Sequence, residues 1–393
     1  MSYPSGSPPN STGSHPASPD GAFCMSADPL QLYADLGVRP VINALGARTV
    51  LGGSEPHPEV VQAMQLAGRY YVDMDELFIR SGEVIADMIG APATLVTPGC
   101  AAALVLGTAA CLTGDDPKKM AQLPDLRGLK DQVIIQRPQR YKYDRVVRMT
   151  GVEIVPVGSD TRATEEDVEA AISERTAAVL YPEIDAPGSY LSVEDVVRIA
   201  HRHGLPVIVD SAYRVYPLDG LHRYAEMGAD LFGYGAKYFG APNSTGLLCG
   251  REDLIRSARL HSFAGFEKHD LLGLGRPFKV DRQEVFGVLA ALRRWLSMDH
   301  DERFEAARKR AENLVRHLGP LTAVQIEQRA STVEVRCAEK RARSVADIAQ
   351  ALRDGHPSIW LDVRPHALHL DMLQVHDGDE ALIASRLIEE LST

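Results

Sequence analysis

Lys237 is the one lysine in the stretch ADLFGYGAKYFGAPNSTGLLCG (residues 229–250), where its neighbours are glycines, small residues and apolar residues. A lysine is costly to desolvate as a cation, but burial lowers its pKa and frees the lone pair of the neutral amine. Such an amine forms an imine with an aldehyde. Asp210 closes the run PVIVD (206–210), and open α/β sheets bind their ligands beyond the carboxyl ends of their strands. Taken alone, that carboxylate is equally a turn or helix cap. In VTPGCAAAL (96–104) a short strand runs through Pro98-Gly99 into an alanine-rich helix. The first N–H groups there, of Gly99, Cys100 and Ala101, lack partners within the helix and can face a phosphate. By itself that motif is also a plain helix start.

The elements that must carry these residues follow from periodicity. The runs QVIIQ (132–136), VEIVPV (152–157), AAVLY (177–181), PVIVD, DLFGYG (230–235) and GLLCG (246–250) read as strands and alternate with helical stretches. TEEDVEAAI (164–172) opens on a capping box of Thr164 and Asp167, and SVEDVVRIAHRHG (192–204) is a capped helix ending in glycine. HPEVVQAMQLAGRYY (57–71) and ELFIRSGEVIADMIG (76–90) have helical spacing, with Gly90 as C-cap. His201 and His203 read as favourable charges at a helix C-terminus, not as metal ligands. The alternation implies right-handed crossovers and an α/β domain with a mostly parallel sheet. From about Asp299 the chain becomes charge-rich helix, then the strands STVEVRC, PSIWLDV and ALHLDM and a last helix. That pattern predicts a small C-terminal α+β domain. The expected division is a disordered tail over 1–28, a large domain with an N-terminal arm over 29–298, and the small domain over 299–393.

The totals narrow the function further. The chain has 393 residues, 45% hydrophobic and 24% charged, with a formal net charge of -11. Nucleic-acid binders carry basic faces, so no nucleic-acid partner is expected. The five cysteines (Cys24, Cys100, Cys111, Cys249 and Cys337) form no CxxC pair, which points to neither a disulfide framework nor a metal site. The proline- and serine-rich start lacks the features of a signal peptide, and no apolar run is long enough to span a bilayer. A cytoplasmic protein is expected. No G-x-G-x-x-G and no P-loop motif supports a dinucleotide or nucleoside-triphosphate reading.

Pyridoxal 5'-phosphate needs an imine-forming lysine, an acid for its ring nitrogen and an anion site for its phosphate. Those groups occur here in the order phosphate loop, aspartate, lysine, each at a strand end. At these positions the sequence resembles the fold-type I pyridoxal-phosphate enzymes, and within them the branch of selenocysteine synthase and D-glucosaminate-6-phosphate ammonia-lyase. VINALGARTVLGGS, VTPGCAAAL, PVIVDSA, KYFGAPNSTGLLCGREDLI and LGRPFKVDRQEVFGVLAAL carry the resemblance, which runs from about Asp35 to the C-terminus. It implies an aspartate aminotransferase-like fold, with a large domain built on a seven-stranded-type sheet and a small α+β domain. It also implies a homodimer or larger homo-oligomer with shared active sites. Lys237 would hold the cofactor as a Schiff base, Asp210 would keep its ring nitrogen protonated, and Gly99, Cys100 and Ala101 would lie at the phosphate. Arg276 and Lys279 in GRPFK would reach a phosphate or carboxylate, although the same residues also read as an exposed basic loop.

Two departures fall near the expected reacting centre. Relatives tend to read QRGHRNAYD where this chain has QRPQRYKYD, which puts Gln139 in place of a histidine over the cofactor ring. Before the lysine, Tyr234 stands near the place of a common small hydroxyl residue. No counterpart of the tRNA-binding N-terminal domain of selenocysteine synthase is expected, and with it no tRNA substrate.

With Lys237 as base, the expected reaction is α,β-elimination on a small polar or hydroxylated amino acid, an ammonia-lyase type of reaction. The alternatives are a transferase (aminotransfer or β-replacement), an aldolase or a racemase, and a non-catalytic scaffold. A substrate carboxylate suits an arginine fork, for which Arg48 and Arg364 are candidates, though each also reads as a structural residue. Cys100 reads either as a reactive thiol at a helix start or as a small side chain beside a phosphate. Tyr70 and Tyr71 read either as lining the substrate entrance or as packing.

Overall fold

The computed structural model describes residues 29–319, 321, 324–338 and 343–392, and the expected tail at 1–28 lies outside them. Residues 46–302 form one compact unit, and the described residues of 1–45 and 303–393 form another. In chain order the strands are β1 (Val41–Ala44), β2 (Ala93–Thr97), β3 (Gln132–Gln136), β4 (Glu153–Val157), β5 (Thr176–Pro182), β6 (Val207–Asp210), β7 (Leu231–Gly235), β8 (Gly246–Gly250), β9 (Val324–Arg329), β10 (Thr332–Cys337), β11 (Ser358–Arg364) and β12 (Ala367–Asp371).

The larger unit is built on a seven-stranded sheet of order β2-β8-β7-β6-β5-β3-β4. Its neighbours pair in parallel from β4 through to β7, whereas β8 runs antiparallel to both β2 and β7. β5, β6, β7 and β8 are buried at every position. Such continuous apolar runs belong to strands covered on both faces, as mostly parallel sheets are. The helix Gly99–Thr113 is buried along nearly all its length, and its sequence is accordingly apolar all round. Local signals hold where the spacing predicts them. Thr164 and Asp167 form a capping box, Ser192 accepts from the Asp195 N–H, and Gly90 ends its helix in the left-handed region at φ 67°.

The register sets up the site. Gly246, the first residue of β8, pairs with Thr97 on one side and Gly235 on the other. Because β8 is antiparallel to both neighbours, β2 and β7 point the same way and end at the same sheet edge. Asp210 pairs with Gly233 in β7, so the end of β6 falls at that edge as well. The three candidate groups therefore leave the sheet side by side.

The smaller unit has a five-stranded sheet of order β1-β11-β12-β10-β9, with β1 parallel to β11 and the rest antiparallel. Its core includes Ile42, Leu314, Ile348, Ile359, Leu370 and Leu387. Two features differ from expectation. The N-terminal segment, expected as an arm of the large domain, supplies β1 to the smaller sheet and buries Ile42 and Ala44 in its core. β9 was not foreseen, because VQIEQR lies on a sheet edge with no fully buried position and so has the polar composition of the helix before it.

Candidate active site

A cavity of about 390 Å³ opens at that sheet edge, lined by Gly99, Cys100, Ala101, Asp210 and Lys237. Thr49, Tyr143, Tyr238 and Asn243 complete the part that bears on chemistry. The sequence names the first five; the fold brings the other four to them.

Lys237 lies in the 3-10 turn Ala236–Phe239 directly after β7, and Gly240 closes that turn at φ 84°. The side chain is half-buried. Its Nζ donates to Thr49 Oγ1 at 2.5 Å and lies 5.1 Å from the centroid of the Tyr238 ring. Burial, reinforced by the positive charge of Arg48, holds its pKa below the ordinary lysine value. Arg48 is exposed and does not line the cavity, so its action on the amine is through its charge. The lysine in an apolar stretch is thus an amine held toward its neutral, nucleophilic form.

Asp210 ends β6 and is buried. Its Oδ1 accepts from the Ala212 N–H at 3.1 Å and the Cys100 thiol at 3.4 Å, and its Oδ2 accepts from the Tyr141 hydroxyl. Burial raises its pKa, and the Tyr141 bond is the strongest effect in the opposite direction. Burial and the Asp210 charge push the Cys100 thiol well up, so Cys100 stays a neutral donor. This disfavours the reading of Cys100 as an activated thiol.

At the third corner, Gly99 takes φ +83°, which turns the chain from β2 into the helix Gly99–Thr113. The N-cap, Pro98, makes no side-chain cap for the first turn, whose residues Gly99, Cys100 and Ala101 line the cavity. A carbon added at Gly53 would sit 2.2 Å from Asn243 Oδ1 and 2.9 Å from Lys237 Cδ, so the loop carrying Thr49 is pressed against the lysine stem. Asn243 Oδ1 is buried and has no hydrogen-bond partner.

These residues fit pyridoxal phosphate: a depressed amine, a buried carboxylate and an uncapped helix start all line one cavity. The remaining candidates lie elsewhere. Gln139 does not line the cavity; it is fully buried, its Oε1 accepts from Gln136 at 2.9 Å and its Nε2 donates to the Pro182 carbonyl at 2.9 Å. With both amide atoms used inside the core, it cannot stand over a cofactor ring. Tyr141 and Tyr143, two and four residues on, are the members of that segment at the site, with rings 5.9 Å apart edge to face. Tyr234 is a core residue, donating to the Leu221 carbonyl at 2.9 Å amid Tyr224 and Phe232.

Arg276 is paired with Glu267 at 2.5 Å, Lys279 is exposed, and neither lines the cavity. Arg364 belongs to the smaller unit, where it meets Glu334 at 3.4 Å. Of the residues that the sequence does not signal, Thr49 follows Arg48, and Asn243 lies six positions after Lys237. Their types carry no chemical signal until a partner is seen.

The aminotransferase class-V family matches residues 141–359. The chain is 31% identical over 385 residues to a 5'-C-glycyluridine monooxygenase-decarboxylase of a Streptomyces species, covering 91% of each chain. It is 30% identical over 374 residues to a D-glucosaminate-6-phosphate ammonia lyase of Salmonella typhimurium, covering 91% of this chain and 97% of that one. A solved D-glucosaminate-6-phosphate ammonia-lyase superposes with a TM-score of 0.80 at 30% identity, over 92% of this chain and 98% of that one. With its cavity and these relatives taken together, the chain belongs to the aminotransferase class-V family and is a pyridoxal-phosphate enzyme.

Proposed function

We propose that the chain is a lyase that releases ammonia from a small polar or hydroxylated amino acid by α,β-elimination. The observation that carries this reading is the depressed, half-buried Lys237 amine on the same cavity as Asp210 and an uncapped helix start. The 30% identity to an ammonia lyase over nearly the whole chain supports it.

Pyridoxal phosphate, when bound, supplies an aldehyde for amines and a protonated ring that draws electrons from the bonds at Cα. Lys237 offers the amine that holds it, Asp210 the carboxylate for its ring nitrogen, and the N–H groups of Gly99, Cys100 and Ala101 the seat for its phosphate. With pyridoxal phosphate bound, the Lys237 amine, its pKa lowered by burial and by the charge of Arg48, would be the group to take the proton from the substrate Cα. The Cα–H bond breaks with its proton passing to Lys237, and the Cβ–O bond breaks with its electron pair. A proton returned to the departing hydroxyl makes water. Hydrolysis of the resulting enamine gives a keto acid and ammonia.

The test is a panel of L- and D-amino acids, including hydroxy and amino-sugar acids, assayed for ammonia and keto acid. The reading fails if none of the hydroxylated or amino-sugar acids releases ammonia. A second reading, oxygen-dependent decarboxylation, is favoured by the 31% identity to a monooxygenase-decarboxylase. It would show as carbon dioxide release that stops under argon.

The chain acts in the cytoplasm as a homodimer or larger homo-oligomer in this proposal, and Arg276 and Lys279, which do not line their own chain's cavity, serve substrate binding across the interface. Leu66, Tyr70, Tyr71 and Phe286 are exposed large side chains of the kind that a second copy covers. Among the described residues, no helix is long and apolar enough to cross a membrane. Sedimentation equilibrium checks the assembly: a monomer at micromolar concentration would exclude it.

A further inference from the structure

The Asp210 carboxylate is held entirely by neutral donors. The Tyr141 hydroxyl occupies Oδ2, while the Cys100 thiol and the Ala212 N–H share Oδ1. Burial alone drives a carboxyl toward its neutral acid. A neutral acid cannot favour a protonated ring nitrogen, so something in the wall must keep the charge. Cys100 stays a neutral thiol, and at 3.4 Å it is a weak donor. Among the described residues the phenols of Tyr213 and Tyr238 also sense the Asp210 charge and are raised by burial, and Lys237 lines the same cavity.

Tyr141 is the strong donor, and it is well anchored. Its own N–H donates to Asp144 Oδ2 at 3.2 Å, Asp144 is buried and paired with Arg140, and its ring meets that of Tyr143. Burial and the Asp210 charge push the phenol well above its usual range, so it remains an O–H donor. A carboxylate has about four acceptor sites. Three present donors leave room for one more.

We propose that Tyr141 is the positioning residue of the cofactor site: its hydroxyl, set by the Arg140–Asp144 turn, fixes Asp210 as a carboxylate oriented to receive the ring nitrogen of pyridoxal phosphate. This rests on the cofactor and is independent of the elimination reading, because it concerns binding and protonation, not turnover.

The test is a double-mutant cycle on cofactor-free protein. Tyr141→Phe, Asp210→Asn and the double variant are titrated with pyridoxal phosphate by protein-fluorescence quenching, from about pH 5 to about pH 9. Tyr141→Phe weakens cofactor affinity about 10- to 100-fold, the worth of a hydrogen bond to a charged group. It also moves the loss of affinity on acidification to higher pH, because Asp210 without its donor takes up a proton sooner. In the Asp210→Asn background the same substitution has no further effect. A merely structural Tyr141 gives equal losses in both backgrounds, and that result overturns the proposal. So does wild-type affinity with an unmoved acid limb in Tyr141→Phe. Tyr141→His, which keeps a ring donor, recovers affinity; a loss equal to that of the phenylalanine variant also counts against the assignment.

Discussion

Lys237 donates from Nζ to Thr49 Oγ1 at 2.5 Å, joining residues 188 positions apart in sequence. The hydroxyl holds the amine at the cavity while burial and Arg48 keep its pKa down. Replacing Thr49 by Val removes the acceptor and leaves the amine free to rotate. The expected result is a turnover about three- to tenfold lower, matching one lost neutral hydrogen bond, at nearly unchanged cofactor content. Steady-state rates alongside cofactor absorbance check it.

Lys237→Ala removes both the anchoring amine and the proposed base. Turnover drops by about 10²–10⁴-fold or more. Borohydride reduction followed by peptide mass spectrometry finds the pyridoxyl adduct on Lys237 in the parent and none at that position in the variant. An adduct on another lysine of the parent would contradict the assignment.

Asp210→Asn keeps the shape and loses the charge. The rate falls by about 10²–10³-fold, the scale of one displaced electrostatic group in a buried site. Circular dichroism should be unchanged, because asparagine has nearly the same shape and keeps one acceptor oxygen for the Ala212 N–H.

Gly53 sits at φ +79° with Asn243 and the Lys237 stem against it. Gly53→Ala costs about 1–2 kcal/mol in backbone strain and also displaces one of those side chains. Gly52, at φ +88° with nothing within 4 Å, is the control. Both variants should melt earlier, but only Gly53→Ala should lose activity out of proportion to the fraction unfolded.

His261 is fully buried, and its Nε2 meets Thr113 Oγ1 at 2.7 Å. Burial pushes its pKa down to about 4. The unfolded chain, with an ordinary histidine near 6.5, binds the proton more readily than the folded one. Stability is therefore complete above about pH 6.5 and declines as pH falls toward about 4, by a few kcal/mol in all. Thermal melts should show a shallower acid decline in His261→Gln than in the parent.

The same contrast, between a residue's type and its partner, separates what was legible from what was not. Lys237, Asp210 and the Gly99–Ala101 turn could be named from the sequence because each pairs an unusual residue type with a strand end. Strands and caps follow from local periodicity, and local rules place Thr164, Ser192 and Gly90 correctly. The assignment of Gln139 to the ring failed for a reason no local pattern contains: Gln136 and Pro182, brought together by the packing of neighbouring parallel strands, consume its amide. Likewise β1 joins β11 across more than 300 residues, a pairing set by shared core burial and not by the composition of either strand.

The order of elements and the chemical identities of the amine, the acid and the helix start were thus determined by sequence alone. Which hydroxyl meets Lys237, which phenol meets Asp210 and which amide is left orphaned were decided only by tertiary structure. Thr, Tyr and Asn are ordinary side chains anywhere along a chain, and they gain a role through distance and burial, which arise when the sheet edge closes around the cavity.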